Sequence, residues 1–196
     1  NKNIYFYTVI EPLYKDMKKI GYRSISEDIT DKKRIEELSI TDKLTGLYNR
    51  LKIDEVLNNQ IEYSKRYKVP FSVILIDIDN FKMINDTYGH DKGDYVLSEI
   101  STILKQNIRK SDSVGRWGGE EFFILCPNTE KEDCVLIAEL IRKNVESHSF
   151  WDISKLTISL GLTSFLDNDN SLTIFKRVDT ALYKAKNNGK NQTTVI

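Results

Sequence analysis

The sequence predicts an α/β or α+β sandwich built around a mixed sheet. A nearly continuous apolar run, Phe71-Ser72-Val73-Ile74-Leu75-Ile76, has the length and β-branched content of a central strand covered on both faces. Two short strand-like segments, Val114 to Trp117 and Glu121 to Leu125, flank Gly118-Gly119, and glycine's tolerance of positive φ suits that pair to a hairpin turn. Helical and strand-like segments interleave on either side of this hairpin.

The remaining elements follow in order. Ile4 to Ile10 and Tyr22 to Ile29, the latter after the turn-prone Gly21, read as strands. Asp31 to Leu38 reads as a short charged helix that Thr30 or Asp31 would cap, with Ile35 and Leu38 on one face. Thr41 reads as an N-cap with Asp42 in the first turn, and a loop follows at Thr45-Gly46. Asn49 to Tyr67 predicts a long helix burying Leu51, Ile53, Val56, Leu57 and Ile61. After the central strand comes a polar stretch from Asn80 to Lys92, then helices from about Gly93 to Ile108 and from Lys131 to Glu146. A strand over Leu156 to Leu162 and a helix over Ser171 to Asn187 close the chain.

Composition narrows the function. A length of 196 residues suits one ordinary domain with a short extra segment. The 29 basic and 29 acidic residues cancel, so no global field draws the chain onto nucleic acid or an anionic membrane, and any anion site must be local. Cys126 and Cys134 lack CxxC spacing and read as buried thiols of a reducing cytosol, while His90 and His148 are too few for a zinc cluster. No apolar run is long enough to span a bilayer. The first residues lack a signal-peptide core and an initiator Met, so the chain reads as a piece of a longer protein. A cytoplasmic domain without membrane contact is expected, with any anchoring of the full-length protein left to other regions.

The chemistry concentrates where strands end. Asp77 closes the apolar run, Asp79 follows two residues later, and Ile78 offers a carbonyl between them. Glu120 and Glu121 directly follow the hairpin glycines. Each acid alone would be ordinary surface. If the hairpin lies beside the strand they meet with no balancing Lys or His, which demands a cation, and hard oxygen ligands then favour magnesium. Carboxylate-held metals serve phosphoryl and nucleotidyl transfer, and the glycines permit a phosphate to approach the backbone.

These residues lie within a wider pattern. Arg116-Trp117-Gly118-Gly119-Glu120-Glu121-Phe122 resembles the signature hairpin of diguanylate cyclases, the GGDEF family. The stretch Asp42-Lys43-Leu44-Thr45-Gly46-Leu47-Tyr48-Asn49-Arg50 is similar to the family's opening motif. Asp77-Ile78-Asp79-Asn80-Phe81-Lys82, continuing through Ile84-Asn85-Asp86 and Tyr88-Gly89-His90-Asp91 to Gly93-Asp94, keeps its spacing. Ile158-Ser159-Leu160-Gly161 and the run from Asp179 to Asn191 resemble its C-terminal motifs. The likeness covers about residues 41 to 196, and five motifs in order are far more specific than a lone GGEEF string. The segment Gly21 to Lys33, with Pro12-Leu13-Tyr14 before it, resembles the end of a PAS sensor domain. The implied organisation is a sensor remnant over 1–30, a linker helix over 31–40 and the catalytic domain over 41–196.

The resemblance implies a palm-like nucleotidyl cyclase fold with a five-stranded mixed sheet flanked by helices. It implies condensation of two GTP into cyclic di-GMP with loss of two pyrophosphates, each site of a homodimer holding one GTP. Two Mg2+ per site, replaceable by Mn2+, would be held by Asp77, the Ile78 carbonyl, Glu120 and Glu121. Glu120 and Lys82 would be catalytic, Glu120 as the base that activates the ribose 3′-hydroxyl. Asn85 and Asp94 would read guanine, whose N1–H and N2–H suit a carboxylate and whose O6 suits an amide, with His90, Leu44 and Phe81 supporting the pocket. Gly118, Gly119, Lys82, Lys186 and Lys190 would take the triphosphate. Lys190 stands where the family usually has arginine and loses the bidentate fork. Arg109 and Asp112 match an RxxD product-inhibition site, although Leu140 falls where a second inhibitory arginine is expected, with Arg142 two residues beyond. The alternatives are a catalytically silent module binding GTP or cyclic di-GMP, against which the intact acid set argues, and a cyclase making an adenine-containing product, against which Asp94 argues.

Overall fold

The computed structural model describes residues 4–32, 35 and 40–196. The chain divides into two compact units, Asn1–Ser39 and Ile40–Ile196.

In the first unit, β1 (Phe6–Lys15) pairs antiparallel with β2 (Lys18–Asp28). Both strands run longer than the apolar patterns suggest. The reversal falls at Asp16-Met17, both at positive φ, whereas Gly21 lies inside β2 opposite Leu13. The Asp28 carboxylate accepts from the Thr30 backbone N–H at 2.9 Å. Thr30, Asp31, Lys32 and Ile35 are helical, and the rest of the expected linker helix, 33–34 and 36–39, lies outside the described residues.

The second unit is a five-stranded mixed sheet in the order β4-β5-β3-β6-β7. Its elements are α1 (Arg50–Tyr67), β3 (Phe71–Ile78), α2 (Phe81–Tyr88), α3 (His90–Gln106), β4 (Ser113–Gly118), β5 (Glu121–Pro127), α4 (Lys131–Ser147), β6 (Ile158–Ser164), α5 (Ser171–Asn187) and β7 (Thr193–Val195). β3 is central, antiparallel to both β5 and β6, and β6–β7 is the parallel pair. Every residue of β3 is buried, as a strand covered on both faces requires.

The two-residue pleat of β3 sorts the core into two layers. Ile74, Ile76 and Ile78 pack with Phe81, Val96, Ile100, Ala138 and Ile141 of α2, α3 and α4. Phe71, Val73 and Leu75 pack with Ile53, Leu57 and Ile61 of α1 and Ile174, Val178 and Leu182 of α5. Asn49 caps α1 by accepting from the Lys52 N–H at 3.0 Å, and Asn170 with Thr173 forms a capping box on α5. Leu51, expected in the buried face of α1, is exposed, and Val56 is half-buried.

Three expectations change. Thr41 caps no helix: Asp42 accepts from the Thr45 N–H and hydroxyl at 2.9 and 2.7 Å, and Gly46 at positive φ closes a tight turn instead. The polar stretch Asn80 to Lys92 is α2 plus the start of α3, separated by Gly89 at φ 85°. Its apolar residues Phe81 and Ile84, three apart, are enough to anchor a two-turn helix on the core. The last strand, β7, is β-branched throughout but carries only three residues and no apolar alternation, too short a run for a strand to be read from sequence. Among the described residues no helix is long and apolar enough to cross a membrane.

Candidate active site

The C-terminal end of β3 and the turn between β4 and β5 meet at one end of the sheet. Asp77 stands opposite Glu121 on β5 and opposite Ser159 on β6. The pleat puts it on the same face as Val73 and Leu75, the face that α5 covers. From α5, the Lys186 Nζ reaches Asp77 Oδ2 at 2.7 Å. Burial pushes the Asp77 carboxyl up to about 6 against the pull of that ammonium, and the charges of Glu120 and Glu121 push the same way. Glu121 is also raised, by burial first and by Asp179 and Glu120 after Lys186 has lowered it. The acids expected from sequence therefore do share one electrostatic neighbourhood.

The balancing cation is the one that sequence order concealed. Lys186 lies 109 positions after Asp77 in the numbering and reaches the acids only because α5 packs across β3 and β6. Among the described residues no three His, Cys, Asp or Glu side chains already form a metal-ligand cluster. The donor set nevertheless suits a divalent cation, since Asp77 and Glu121 are both raised, by burial and by neighbouring carboxylates that include Glu120, around a single ammonium. Asp77, Glu120 and Glu121, with the Ile78 carbonyl, are the residues that would hold it.

Asp79 has a different task. Its carboxylate accepts from the Thr157 and Ser159 hydroxyls, both at 2.7 Å, and from the Asn191 N–H at 3.1 Å. It fastens the end of β3 to β6 and to the turn after α5.

A second group of side chains lines a cavity of about 580 Å³ on the α2–α3 side: Phe81, Lys82, Asn85, Asp86, His90, Asp94, Leu97, Arg116, Gly119 and Glu120. Seven of these are expected from sequence, namely Phe81, Lys82, Asn85, His90, Asp94, Gly119 and Glu120. Asn85 and Asp94 come together because α2 and α3 form a tight pair, and Gly93 is what permits it. A Cβ on Gly93 would stand 1.9 Å from Asn85 Oδ1 and 3.2 Å from the Phe81 ring. Leu44 packs against the core beside α3 and is outside the lining. Asp77, Ile78, Glu121, Lys186, Lys190 and Gly118 are outside it too.

Arg116, Asp86 and Leu97 are lining residues that sequence reasoning does not single out. Arg116 is visible inside the hairpin motif, but its partners are not. Its Nε donates to the Gly119 carbonyl at 2.9 Å, and its Nη1 lies 3.3 Å from Asp42 Oδ2. The opening turn and the glycine turn are thus joined through one guanidinium. Burial alone would raise the Asp42 carboxyl, but the Thr45 bonds and the Arg116 charge hold it below its usual value.

The turn after α5 supplies Lys190. Gly189, Lys190 and Asn191 all have positive φ, and the Lys190 ammonium donates to the Asn80 side chain at the end of β3. The sequence profile of the diguanylate cyclase GGDEF domain matches residues 39–192. The chain belongs to the GGDEF diguanylate cyclase family. It is 41% identical over 172 residues to diguanylate cyclase DgcM of Escherichia coli, covering 86% of this chain and 42% of that protein. It is 40% identical over 161 residues to the response regulator PleD of Caulobacter vibrioides, covering 79% of this chain and 36% of PleD. The chain thus spans less than half of either relative.

Solved GGDEF domains share the fold. The Caulobacter crescentus DgcB domain, solved in complex with c-di-GMP, superimposes with a TM-score of 0.77 at 29% identity, over 80% of this chain and 95% of that one. The active GGEEF domain of a Vibrio cholerae diguanylate cyclase gives 0.72 at 40% identity, over 75% and 96%. The expected RxxD pair lies beyond the other end of β4 from the glycine turn. Asp112 uses Oδ2 to accept from the Arg109 N–H at 2.9 Å, and the exposed Arg109 guanidinium makes no ion pair among the described residues. Arg142 is committed elsewhere, to Glu139 and Glu146.

Proposed function

We propose that this chain condenses two GTP molecules into cyclic di-GMP, with release of two pyrophosphates, when two copies face each other. The observation that carries this reading is the cavity. It gathers an amide and a carboxylate, Asn85 and Asp94, at the α2–α3 pair, and Lys82, Gly119 and Glu120 toward the acids. Asp94 suits the N1–H and N2–H of guanine, and adenine would present it with an acceptor instead. His90 and Phe81 flank the base. Lys82, Lys186 and Lys190 supply positive charge for the triphosphate, and Gly119 removes the side chain that would keep a phosphate from the backbone.

A bound divalent cation such as magnesium would supply charge neutralisation on the phosphates at Asp77, Ile78, Glu120 and Glu121. Glu120 would accept the ribose 3′-hydroxyl proton. Lys186, paired with Asp77 until nucleotide arrives, turns to the phosphates and frees the carboxylate. Catalysis in this arrangement is chiefly positioning and electrostatic stabilisation. The described residues of a single copy supply this nucleotide cavity once, so the second phosphodiester bond requires a facing copy with near two-fold symmetry. Arg109 and Asp112 form a product site on the same reading, and the β1–β2 hairpin, with apolar side chains exposed on both strands, is the end of a PAS-like sensor.

Incubating the chain with GTP and magnesium and identifying the product by mass spectrometry tests the proposal. Cyclic di-GMP with two equivalents of pyrophosphate is the expected result. Bound GTP without turnover would make the chain a binding module, and a product containing adenine from mixed nucleotides would overturn the guanine assignment.

A further inference from the structure

A polar network on α4 takes no part in the chemistry above. Arg142 is 12% exposed, and its Nε donates to Glu139 Oε2 at 3.0 Å. Its Nη1 donates to Glu146 Oε2 and to Asn191 Oδ1, both at 2.8 Å. Asn191 answers through Nδ2, which donates to Glu146 Oε1 at 2.8 Å, and through its backbone N–H, which donates to Asp79 Oδ2 at 3.1 Å. Thr193 closes the ring by donating to Glu139 Oε1 at 2.6 Å.

What this network holds is an unfavourable backbone. Lys190 at φ 63° and Asn191 at φ 47° are consecutive non-glycine residues in the left-handed region, directly after Gly189 at φ 112°. A lysine gains nothing from that conformation and persists in it only where its surroundings over-determine the chain. The result is placement: the turn carries the Lys190 ammonium to Asn80 at the end of β3, and Lys186 sits one turn of α5 earlier, on Asp77.

We infer that Arg142 and Asn191 are positioning residues that clamp the Gly189–Asn191 turn between α4 and Asp79, so that Lys186 and Lys190 are presented to the triphosphate of the substrate. This rests on the GTP reading of the cavity. The planar fork of Arg142 meets two carboxylates and one amide oxygen, a set of acceptors that a single ammonium cannot reproduce. The clamp therefore acts on phosphate recognition and leaves the guanine end, held by Gly93 and Asn85, untouched.

The test compares wild type with Arg142→Ala, Arg142→Lys and Asn191→Gly. Asn191→Gly keeps access to positive φ and removes only the side-chain tie, so it remains informative if Arg142→Ala fails to fold. Affinities for a non-hydrolysable GTP analogue with magnesium, and for guanosine, are measured by titration. Hydrogen exchange of the amides of 186–193 is measured on the nucleotide-free proteins. In folded Arg142→Ala and in Asn191→Gly the analogue should bind roughly tenfold more weakly, a loss matching one charged hydrogen bond, and Arg142→Lys should recover only part of it. Guanosine should bind as before, and exchange at 189–191 should quicken. Parallel losses for analogue and guanosine would reduce Arg142 to a general stabiliser and overturn the inference, as would unchanged exchange. A wild type that binds guanosine and the analogue equally poorly would instead overturn the GTP reading, and exchange alone would then decide whether the clamp exists.

Discussion

At the scale of single residues, the site is made of groups kept in electrostatically uncomfortable positions. Asp77 has an 8% exposed side chain and a carboxyl pushed up to about 6. An unfolded aspartate ionises near pH 3.9. Between those values the folded chain binds the extra proton, so folding stability falls as pH rises from about 4 to 6 and the deficit persists above. Asp77→Asn should therefore abolish turnover yet raise metal-free stability by about 1–3 kcal/mol at pH 7, because each tenfold change in proton affinity is worth roughly 1.4 kcal/mol. The gap should narrow below pH 6 in urea melts. Equal stability at pH 7 would show that the acid carries no such burden. Gly93 is the complementary case. Gly93→Ala drives a methyl into Asn85, a side chain that can move, so folding should largely survive while the KM for GTP rises about tenfold, the cost of one displaced hydrogen bond. Steady-state kinetics beside a thermal melt separates the two effects.

At the scale of elements, the opening turn and the hairpin behave as one piece. Asp42 accepts twice from Thr45 and through both oxygens from Arg116 Nη1, and Arg116 holds the Gly119 carbonyl. Removing the carboxylate leaves a mostly buried guanidinium unpaired, so Asp42→Ala should cost about 1–3 kcal/mol and lower kcat by loosening the glycine turn. The Asp42 carboxyl is held below its ordinary value, so its contribution is present above about pH 4 and lost as pH falls through the folded value. The deficit of Asp42→Ala should accordingly be full at pH 7 and shrink toward pH 3 in denaturation curves. This coupling is invisible in sequence, where Asp42 looks like a first-turn helix residue. Local signals are readable wherever one period dominates, as in the apolar run of β3 and most of the buried face of α1; the glycine pair marks the hairpin, but the turn is Gly119-Glu120, and Gly118 ends β4 without positive φ. They fail at α2, where eight residues carry only two buried apolar side chains, and at β7, whose pairing is supplied by β6. Asp77 and Glu120 stand out in the sequence because they sit at a strand end and beside the hairpin glycines, whereas Asn85 and Asp94, inside α2 and α3, stand out only through the family resemblance. Lys186 opposite Asp77 and the Arg142 network are not, because both depend on how α4 and α5 dock.

At the scale of the whole molecule, docking of α5 is decided by one missing side chain. A Cβ on Gly161 would stand 2.3 Å from the Val178 carbonyl and 2.4 Å from the Leu182 nitrogen, both backbone atoms that cannot swing aside. Gly161→Ala should cost about 2–4 kcal/mol as overpacking, and shift Lys186 off Asp77, so both the melting temperature and turnover should fall. Assembly gives the last expectation. Arg109 projects free of ion pairs, among the described residues, beyond the far end of β4, one strand away from the acids. Arg109→Ala should leave initial rates intact and raise several-fold the cyclic di-GMP needed to slow a progress curve, because it removes a coupling between copies and no catalytic group. Identical slowing in both proteins would make the RxxD stretch a surface turn. One further consequence comes from the edge of the sheet. β4 is an edge strand, and an open edge invites pairing with another chain. Here Tyr48 donates to the Val114 carbonyl at 3.2 Å and accepts from the Arg116 N–H at 2.8 Å, so the opening turn occupies hydrogen-bonding positions that a stray strand would need. The stretch that orients the catalytic hairpin is thus also a guard against aggregation, and losing it would show first as precipitation.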